Sequence, residues 1–205
     1  MQYQKNPPME AGDLLADPLA QLEHWLAEAT AAGQIEPTAM TLATAGPDGA
    51  PSARIVLFKG FHDGGLTFYT NYQGRKGREL AADPRAALVF WWDRLERQVR
   101  VEGQVERLPR EMSERYFHTR PRASQLGALA SHQSAVVATR AELDRRLAEA
   151  IDRYKDAEVP LPESWGGYVL RPQSFEFWQG RRDRLHDRIV FRRDGDSWRT
   201  ERLEP

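Results

Sequence analysis

The sequence predicts a mainly β domain, an antiparallel barrel that is closed or partly closed with helices packed outside it. Three observations carry this expectation. Short runs of β-forming residues follow one another across turns too tight for a crossover, so neighbouring strands pair antiparallel. Such runs occur on both sides of a helical stretch, which sets the helices outside a single sheet. The chain has 205 residues, a length suited to one domain, with no internal repeat or low-complexity tract to divide it.

Residues 1–16 carry Pro7, Pro8 and Gly12 without an apolar period and read as a mobile N-terminal arm; residues 17–205 form the single domain. Asp17 caps a helix that Pro18 opens, with Leu19, Leu22, Leu26 and Ala29 at helical spacing and Gly33 as its stop. Strands are expected over Thr38 to Ala45, Ala53 to Phe58, Leu66 to Asn71, Ala86 to Trp92 and Gln98 to Leu108. Turn signals separate them, among them Gly46-Pro47-Asp48-Gly49 and His62-Asp63-Gly64-Gly65. Two or more helices follow. Thr139 and Glu142 form a capping box for one of them, with Leu143, Leu147, Ile151 and Tyr154 on one side. β character returns at Tyr168 to Arg171, Phe175 to Trp178, Ile189 to Phe191 and Trp198 to Leu203.

Composition excludes several functions. With no cysteine there is no disulfide, thiolate zinc site, iron–sulfur cluster or cysteine nucleophile. Five histidines without metal-ligand spacing argue against a metal, and no G-x-S-x-G elbow marks a serine hydrolase. Basic and acidic side chains number 29 and 30, with acids such as Glu102 and Glu106 interleaved, which argues against nucleic acid as partner. No apolar run approaches the ~20 residues of a membrane span, and Met1 to Glu10 lacks the apolar core of a secretory signal. A cytoplasmic protein without a membrane partner is expected. Of the basic residues 25 are Arg and 4 are Lys, which is either a compositional habit or a preference for forked contacts to phosphate and carboxylate.

Four clusters could carry chemistry. In Arg54-Ile55-Val56-Leu57-Phe58-Lys59, alternation sets Arg54, Val56 and Phe58 on one face and Ile55, Leu57 and Lys59 on the other. Its two cations either reach an anion at the barrel rim or are solvated strand ends. Tyr69-Thr70-Asn71-Tyr72-Gln73-Gly74-Arg75-Lys76 runs from a strand into a helix start, where backbone donors, a hydroxyl and two cations suit a phosphate; it matches neither a P-loop nor a Rossmann turn. In Tyr116 to Ser124, Tyr116 and Arg120 share a helix face with Ser124 just beyond; they fit a small phosphate monoester, or equally a helix-end ion pair on a core Tyr. In Glu176 to Arg188, Arg184, His186 and Arg188 alternate along an extended segment after Trp178, which could wall a flat ring beside a titratable histidine.

These stretches, with His132-Gln133-Ser134, resemble the pyridoxine/pyridoxamine 5′-phosphate oxidase family, in order and from the first helix to the C-terminal Arg202-Leu203-Glu204-Pro205. The resemblance implies an FMN-binding split β-barrel, a homodimer with FMN sites shared between its subunits, and oxidation of pyridoxine or pyridoxamine 5′-phosphate to pyridoxal 5′-phosphate. Hydride would pass to flavin N5 and oxygen would accept the electrons, giving hydrogen peroxide, with ammonia from the amine. Carried over by position, FMN would be held by Arg54, Ile55, Val56, Leu57, Phe58, Lys59, Tyr69, Thr70, Arg75, Lys76, Gln98, Gln133, Ser134, Trp178 and Arg188. Lys59, Tyr116, Arg120 and Ser124 would grip the substrate phosphate, and Arg184 and His186 would be the catalytic pair facing the substrate ring. Two departures stand out: where the family's closing arm carries an Arg and a Tyr, this chain has Met1 to Gln4 with the Tyr displaced by one place to Tyr3, and Glu36 stands where an Asp is usual. A related split-barrel reductase would not need the Tyr116, Arg120 and Ser124 grip, and a flavin carrier would not need Arg184 and His186.

Overall fold

The computed structural model describes residue 3 and residues 5–205; Met1, Gln2 and Gln4 lie outside the described residues. Helix α1 (Pro18–Ala31) begins as its sequence requires, with Asp17 accepting the Leu19 N–H at 3.1 Å, and the chain leaves it through Gly33 at φ 74°. Strands β1 (Ala39–Ala45), β2 (Pro51–Leu57), β3 (Phe61–His62) and β4 (Gly65–Asn71) follow. Then come helix α2 (Arg75–Ala82), strands β5 (Arg85–Trp92) and β6 (Arg97–Arg107), and helices α3 (Arg110–Thr119), α4 (Arg122–Ala130) and α5 (Arg140–Arg153). Strands β7 (Trp165–Gln179), β8 (Asp187–Asp194) and β9 (Ser197–Arg202) complete the chain.

Every pairing is antiparallel, in the order β2-β1-β5-β6-β7-β4-β3, with β8 beside β7 and β9 beside β8. Just past β2, the Lys59 N–H donates to Thr67 O and the Thr67 N–H donates to Gly60 O, both at 2.9 Å, which joins the two flanks of the sheet into a barrel. Alternation fills the interior: Leu88, Phe90 and Trp92 of β5, Val99 and Val101 of β6, and Phe175 and Phe177 of β7 are fully buried. Each such large side chain contributes about 1.5–3 kcal/mol relative to exposure. Helix α1 covers one end, setting Trp25 edge-on to Phe177 at 5.2 Å.

The structure differs from expectation at two points in the sheet and the helices. Tyr168 to Arg171 and Phe175 to Trp178 are one strand, because a bulge absorbs Pro172. Glu102 faces Ser174 and Gly103 faces Pro172, leaving Gln173 extra. A Cβ on Gly103 would sit 2.0 Å from Arg171 O, so only glycine lets the strands approach there. The capping box at Thr139 is half made: its hydroxyl accepts the Glu142 N–H at 3.2 Å, while the Glu142 carboxylate accepts from Arg145 and Arg146.

The arm is strapped down from residue 5 onward. Asn6 Nδ2 donates to Leu95 O at 2.8 Å, Gln179 Nε2 donates to Pro7 O at 2.8 Å, and the Met9 N–H donates to Asp187 Oδ2 at 3.0 Å, with Met9 buried in the core. Asp187 also takes Arg202 Nη1 at 2.8 Å. Long-range hydrogen-bond partners and one buried methionine, not local periodicity, order this segment. Asp187→Ala is expected to destabilise the protein by about 2 kcal/mol and to speed tryptic cleavage after Lys5. Unchanged cleavage would assign the strap to Gln179 and Arg202 instead.

Candidate active site

The outward residues of β2 form one wall of a groove of about 490 Å³, a size that suits a bound small molecule. Ile55, Leu57 and Lys59 face Tyr69, Thr70 and Asn71 of β4, Lys76 of α2, Tyr116 and Arg120 at the end of α3, Ser124 of α4, and Gln133. Its floor is a stack of three rings. Tyr69 lies 3.9 Å from Tyr116 at 18° and 5.6 Å from Trp165 at 12°. Burial, then the neighbouring Tyr116, pushes the Tyr69 hydroxyl up from its usual range. The Arg120 guanidinium lies 4.7 Å over Trp165 and 5.5 Å over Phe117. Its Nη1 is buried without a hydrogen-bond partner. Burial lowers its pKa, with Tyr116 opposing. A desolvated guanidinium N–H with no acceptor is costly by itself, and an anion seated in the groove would satisfy it.

The other end of the groove is built around α2. Lys76 Nζ donates to Thr70 Oγ1 at 3.0 Å and to Gln133 Oε1 at 2.8 Å. Gly74 permits this approach, since a Cβ there would fall 2.6 Å from Gln133 Oε1. The Arg75 N–H, an orphan donor of the helix start, donates to Ser134 Oγ at 3.0 Å, with Ser134 left-handed at φ 68°. Behind Lys76 lies Glu79, buried at 5% exposure. Its Oε2 accepts from Thr44 Oγ1 at 2.6 Å, Ser52 Oγ at 2.7 Å and Arg54 Nη2 at 3.0 Å, and its Oε1 accepts from Arg75 Nε at 2.8 Å. Burial would raise this carboxyl, but the four hydrogen bonds together overcome it and hold the pKa at about 2. Burial lowers Lys76, Arg54 lowers it further, and Glu79 raises it, so the three charges are neighbours.

A second cluster lies at the far end of β7. Trp178 pairs in register with Gln98 of β6 and Arg188 of β8. His186 packs on Trp178 at 4.7 Å, and Tyr3 stands edge-on to both rings at 5.5 Å. A Cβ on Gly180 would fall 2.5 Å from the Tyr3 ring. The His186 Nδ1 accepts the Arg181 N–H at 3.1 Å; burial and then Arg184 lower its pKa, against Asp187. Arg188 forks onto Glu176 through two bonds of 3.0 Å. The segment before β8 is not extended as its alternation suggests. It turns through a 3₁₀ stretch, Arg182–Arg184, with Asp183 and Arg184 left-handed at φ 58° and 62°. Arg184, His186 and Arg188 therefore do not share one side: Arg184 is exposed, His186 lies on Trp178, and Arg188 is engaged by Glu176.

Of the site residues expected from sequence, one groove gathers Ile55, Val56, Leu57, Lys59, Tyr69, Thr70, Lys76, Tyr116, Arg120, Ser124 and Gln133. Arg54, Arg75 and Ser134 adjoin it without lining it. The Phe58 side chain lies in the core, 5.0 Å from Phe61 and 6.0 Å from Phe90. Gln98, Trp178, Arg184, His186 and Arg188 stand at the other cluster, about 40 Å along β7 from Trp165 at extended-strand rise. Sequence reading missed Trp165 and Glu79. Trp165-Gly166-Gly167 carried a signal, since Cβ atoms on those glycines would strike Tyr72 and Tyr69. So did the i,i+4 spacing of Arg75 and Glu79. Among the described residues no group of three His, Asp or Glu side chains is placed to hold a metal ion, and no helix is long and apolar enough to cross a membrane.

Fold and groove together define an antiparallel split barrel with an aromatic floor between two basic ends. Residues 26–154 match the family model described as pyridoxamine 5′-phosphate oxidase, and residues 165–205 match the pyridoxine 5′-phosphate oxidase C-terminal dimerisation region, which supports a homodimer. The chain belongs to the pyridoxine/pyridoxamine 5′-phosphate oxidase family. It is 58% identical over 189 residues to the oxidase of that name from Rubrobacter xylanophilus, covering 92% of this chain and 87% of the relative. It is 53% identical over 200 residues to that of Burkholderia lata, covering 96% and 93%. The crystal structure of PhzG from Burkholderia lata 383, in complex with tetrahydrophenazine-1-carboxylic acid, superposes with a TM-score of 0.92 at 34% identity over the whole of both chains.

Glu79 makes stability depend on acid. Its carboxyl titrates near 2 in the fold against 4.5 ordinarily, so its contribution of about 3 kcal/mol is complete above pH 4.5 and is lost as pH falls toward 2. In denaturant melts the stability gap between the wild type and Glu79→Gln should be widest near pH 6 and close toward pH 2. A gap independent of pH would refute the assignment.

Proposed function

We propose that the protein is an FMN-dependent oxidase that converts pyridoxine 5′-phosphate or pyridoxamine 5′-phosphate to pyridoxal 5′-phosphate, using oxygen. Family membership supports this, and one observation carries it to these residues: the buried, unpartnered Arg120 Nη1 above the ring stack, in a groove whose other end is separately cationic. One groove thus offers two anion positions, as a phosphorylated cofactor and a phosphorylated substrate require. The chain's greater identity to the Burkholderia lata oxidase than to PhzG of the same organism favours the vitamin B6 substrate.

Lys76, Thr70 and Gln133, with Arg54 and Arg75 behind, would hold the FMN phosphate, while the β2 wall of Ile55 to Leu57 would cover its ring. FMN, when bound, supplies the two-electron acceptor and returns the electrons to oxygen as hydrogen peroxide. Arg120 and Lys59 would neutralise the substrate phosphate, and the Tyr116 and Ser124 hydroxyls would fix its orientation. That grip sets the carbon bearing the alcohol or amine, and excludes water from it. Gln98, Trp178, Arg184, His186 and Arg188 do not line their own subunit's groove. The reading assigns them to the groove of the other subunit, because the dimerisation region carries all but Gln98. A cysteine-free chain that needs no oxidising compartment fits a cytoplasmic setting.

The purified protein should show flavin absorbance and, given pyridoxine 5′-phosphate in air, form pyridoxal 5′-phosphate and peroxide in equal amounts. Bound flavin without product would favour a reductase or carrier. Arg120→Ala should raise KM for the phosphorylated substrate roughly ten- to hundredfold with FMN retained, whereas Arg184→Ala should lower turnover far more than FMN retention. Subunits carrying these two changes, mixed and reassembled, should regain about a quarter of wild-type sites if each groove is completed across the dimer; no recovery would place all these residues in one subunit's site.

A further inference from the structure

A buried carboxylate is out of place beside a phosphate cradle, since a like charge weakens an anion's binding. Glu79 nevertheless sits three residues along α2 from Lys76, and its oxygens are fully engaged by Thr44 of β1, Ser52 and Arg54 of β2, and Arg75 of its own helix. These bonds hold α2 against the barrel at the turn that points Lys76 into the groove. Arg54 is further fixed by its Nη1 donating to Leu42 O at 3.2 Å and to Thr44 Oγ1 at 2.5 Å. The side chain of Arg75 is mostly exposed, so its bond to Glu79 restrains an otherwise mobile group.

We propose that Glu79 is a positioning residue for the flavin phosphate: it holds Arg54 beside Lys76 and ties Arg75 to the same helix turn, leaving three cations and one acid, two positive charges in excess, matched to a phosphate dianion. The inference rests on the FMN reading above. Glu79 itself does not line the groove, and its charge is engaged by the two arginines while its hydrogen bonds set their direction. Without it, three cations would repel one another and α2 would lose its tie to β1 and β2. The acid thus raises, and does not lower, affinity for an anion. The effect depends on the ligand's phosphate and not on its ring, which separates it from a general loosening of the fold.

The test uses flavin-free full-length protein titrated with FMN and with riboflavin, which lacks the phosphate, by quenching of flavin fluorescence. Glu79→Gln keeps the side chain's shape and removes its charge. FMN affinity should fall about tenfold, with riboflavin affinity unchanged. Equal loss for both ligands would make Glu79 a structural residue, and no loss for either would remove it from the site; both results overturn the proposal. Should Glu79→Gln fail to fold, Glu79→Asp, which keeps the charge but withdraws it by one methylene, carries the same comparison with a smaller phosphate-selective loss. A wild-type protein that takes up neither flavin would overturn the cofactor reading itself.

Discussion

The continuity of β7 governs this architecture. Its first half pairs with β4 and the outer part of β6, and its second half pairs with the inner part of β6 and with β8. One strand therefore carries Trp165, the floor of the groove, at one end and Trp178 at the other. A strand cannot fold back on itself without breaking its ladder, so the residues around Trp178 do not line the groove that Trp165 floors. The bulge opposite Gly103 does not shorten this distance; it lets a proline pass through a central strand and turns the second half toward β8. A second copy of the chain is the economical way to juxtapose the two ends, and the dimerisation region begins where β7 begins.

Electrostatics then divides labour within the groove. At one end Arg120 is desolvated over aromatic faces and left with an unmet donor, which is costly in an empty site and favourable once an anion arrives. At the other end the cations are already satisfied, with Lys76 on Thr70 and Gln133, and Arg54 and Arg75 on Glu79. The first arrangement suits a ligand that comes and goes, because binding relieves a penalty. The second suits a resident ligand, because the cradle keeps its shape without one.

Much of this was legible in the sequence. Alternation in β5 and β6, Asp17 before Pro18, and the glycines at positive φ in the turns are local signals, and each was read correctly because local sterics decide it. Four clusters far apart in the chain were singled out on residue type, and three of them converge on one groove. What escaped reading depends on partners distant in sequence. Pro172 looks like a strand end unless Gly103, on another strand, is known to face it. The arm looks free because its restraints are Asp187, Gln179 and Arg202, more than a hundred residues away. Arg54 looked like a ligand residue with open donors, and only the fold shows that Glu79 engages it first.

The turn before β8 shows why alternation misleads there. Asp183 and Arg184 are both left-handed without being glycine, a conformation that costs on the order of 1 kcal/mol each. It is maintained by its surroundings: the Leu185 N–H donates to Arg182 O at 3.2 Å, His186 accepts from the Arg181 backbone, and Asp187 is tied to the arm. An extended segment would have avoided that cost and placed Arg184 on the same side as Arg188, facing its own sheet. The strained turn instead leaves Arg184 exposed, while His186 stays against the Trp178 ring. For a lone subunit the strain has no return. It becomes useful only if something outside the chain approaches this end, and the strained turn belongs to the region matched as a dimerisation region.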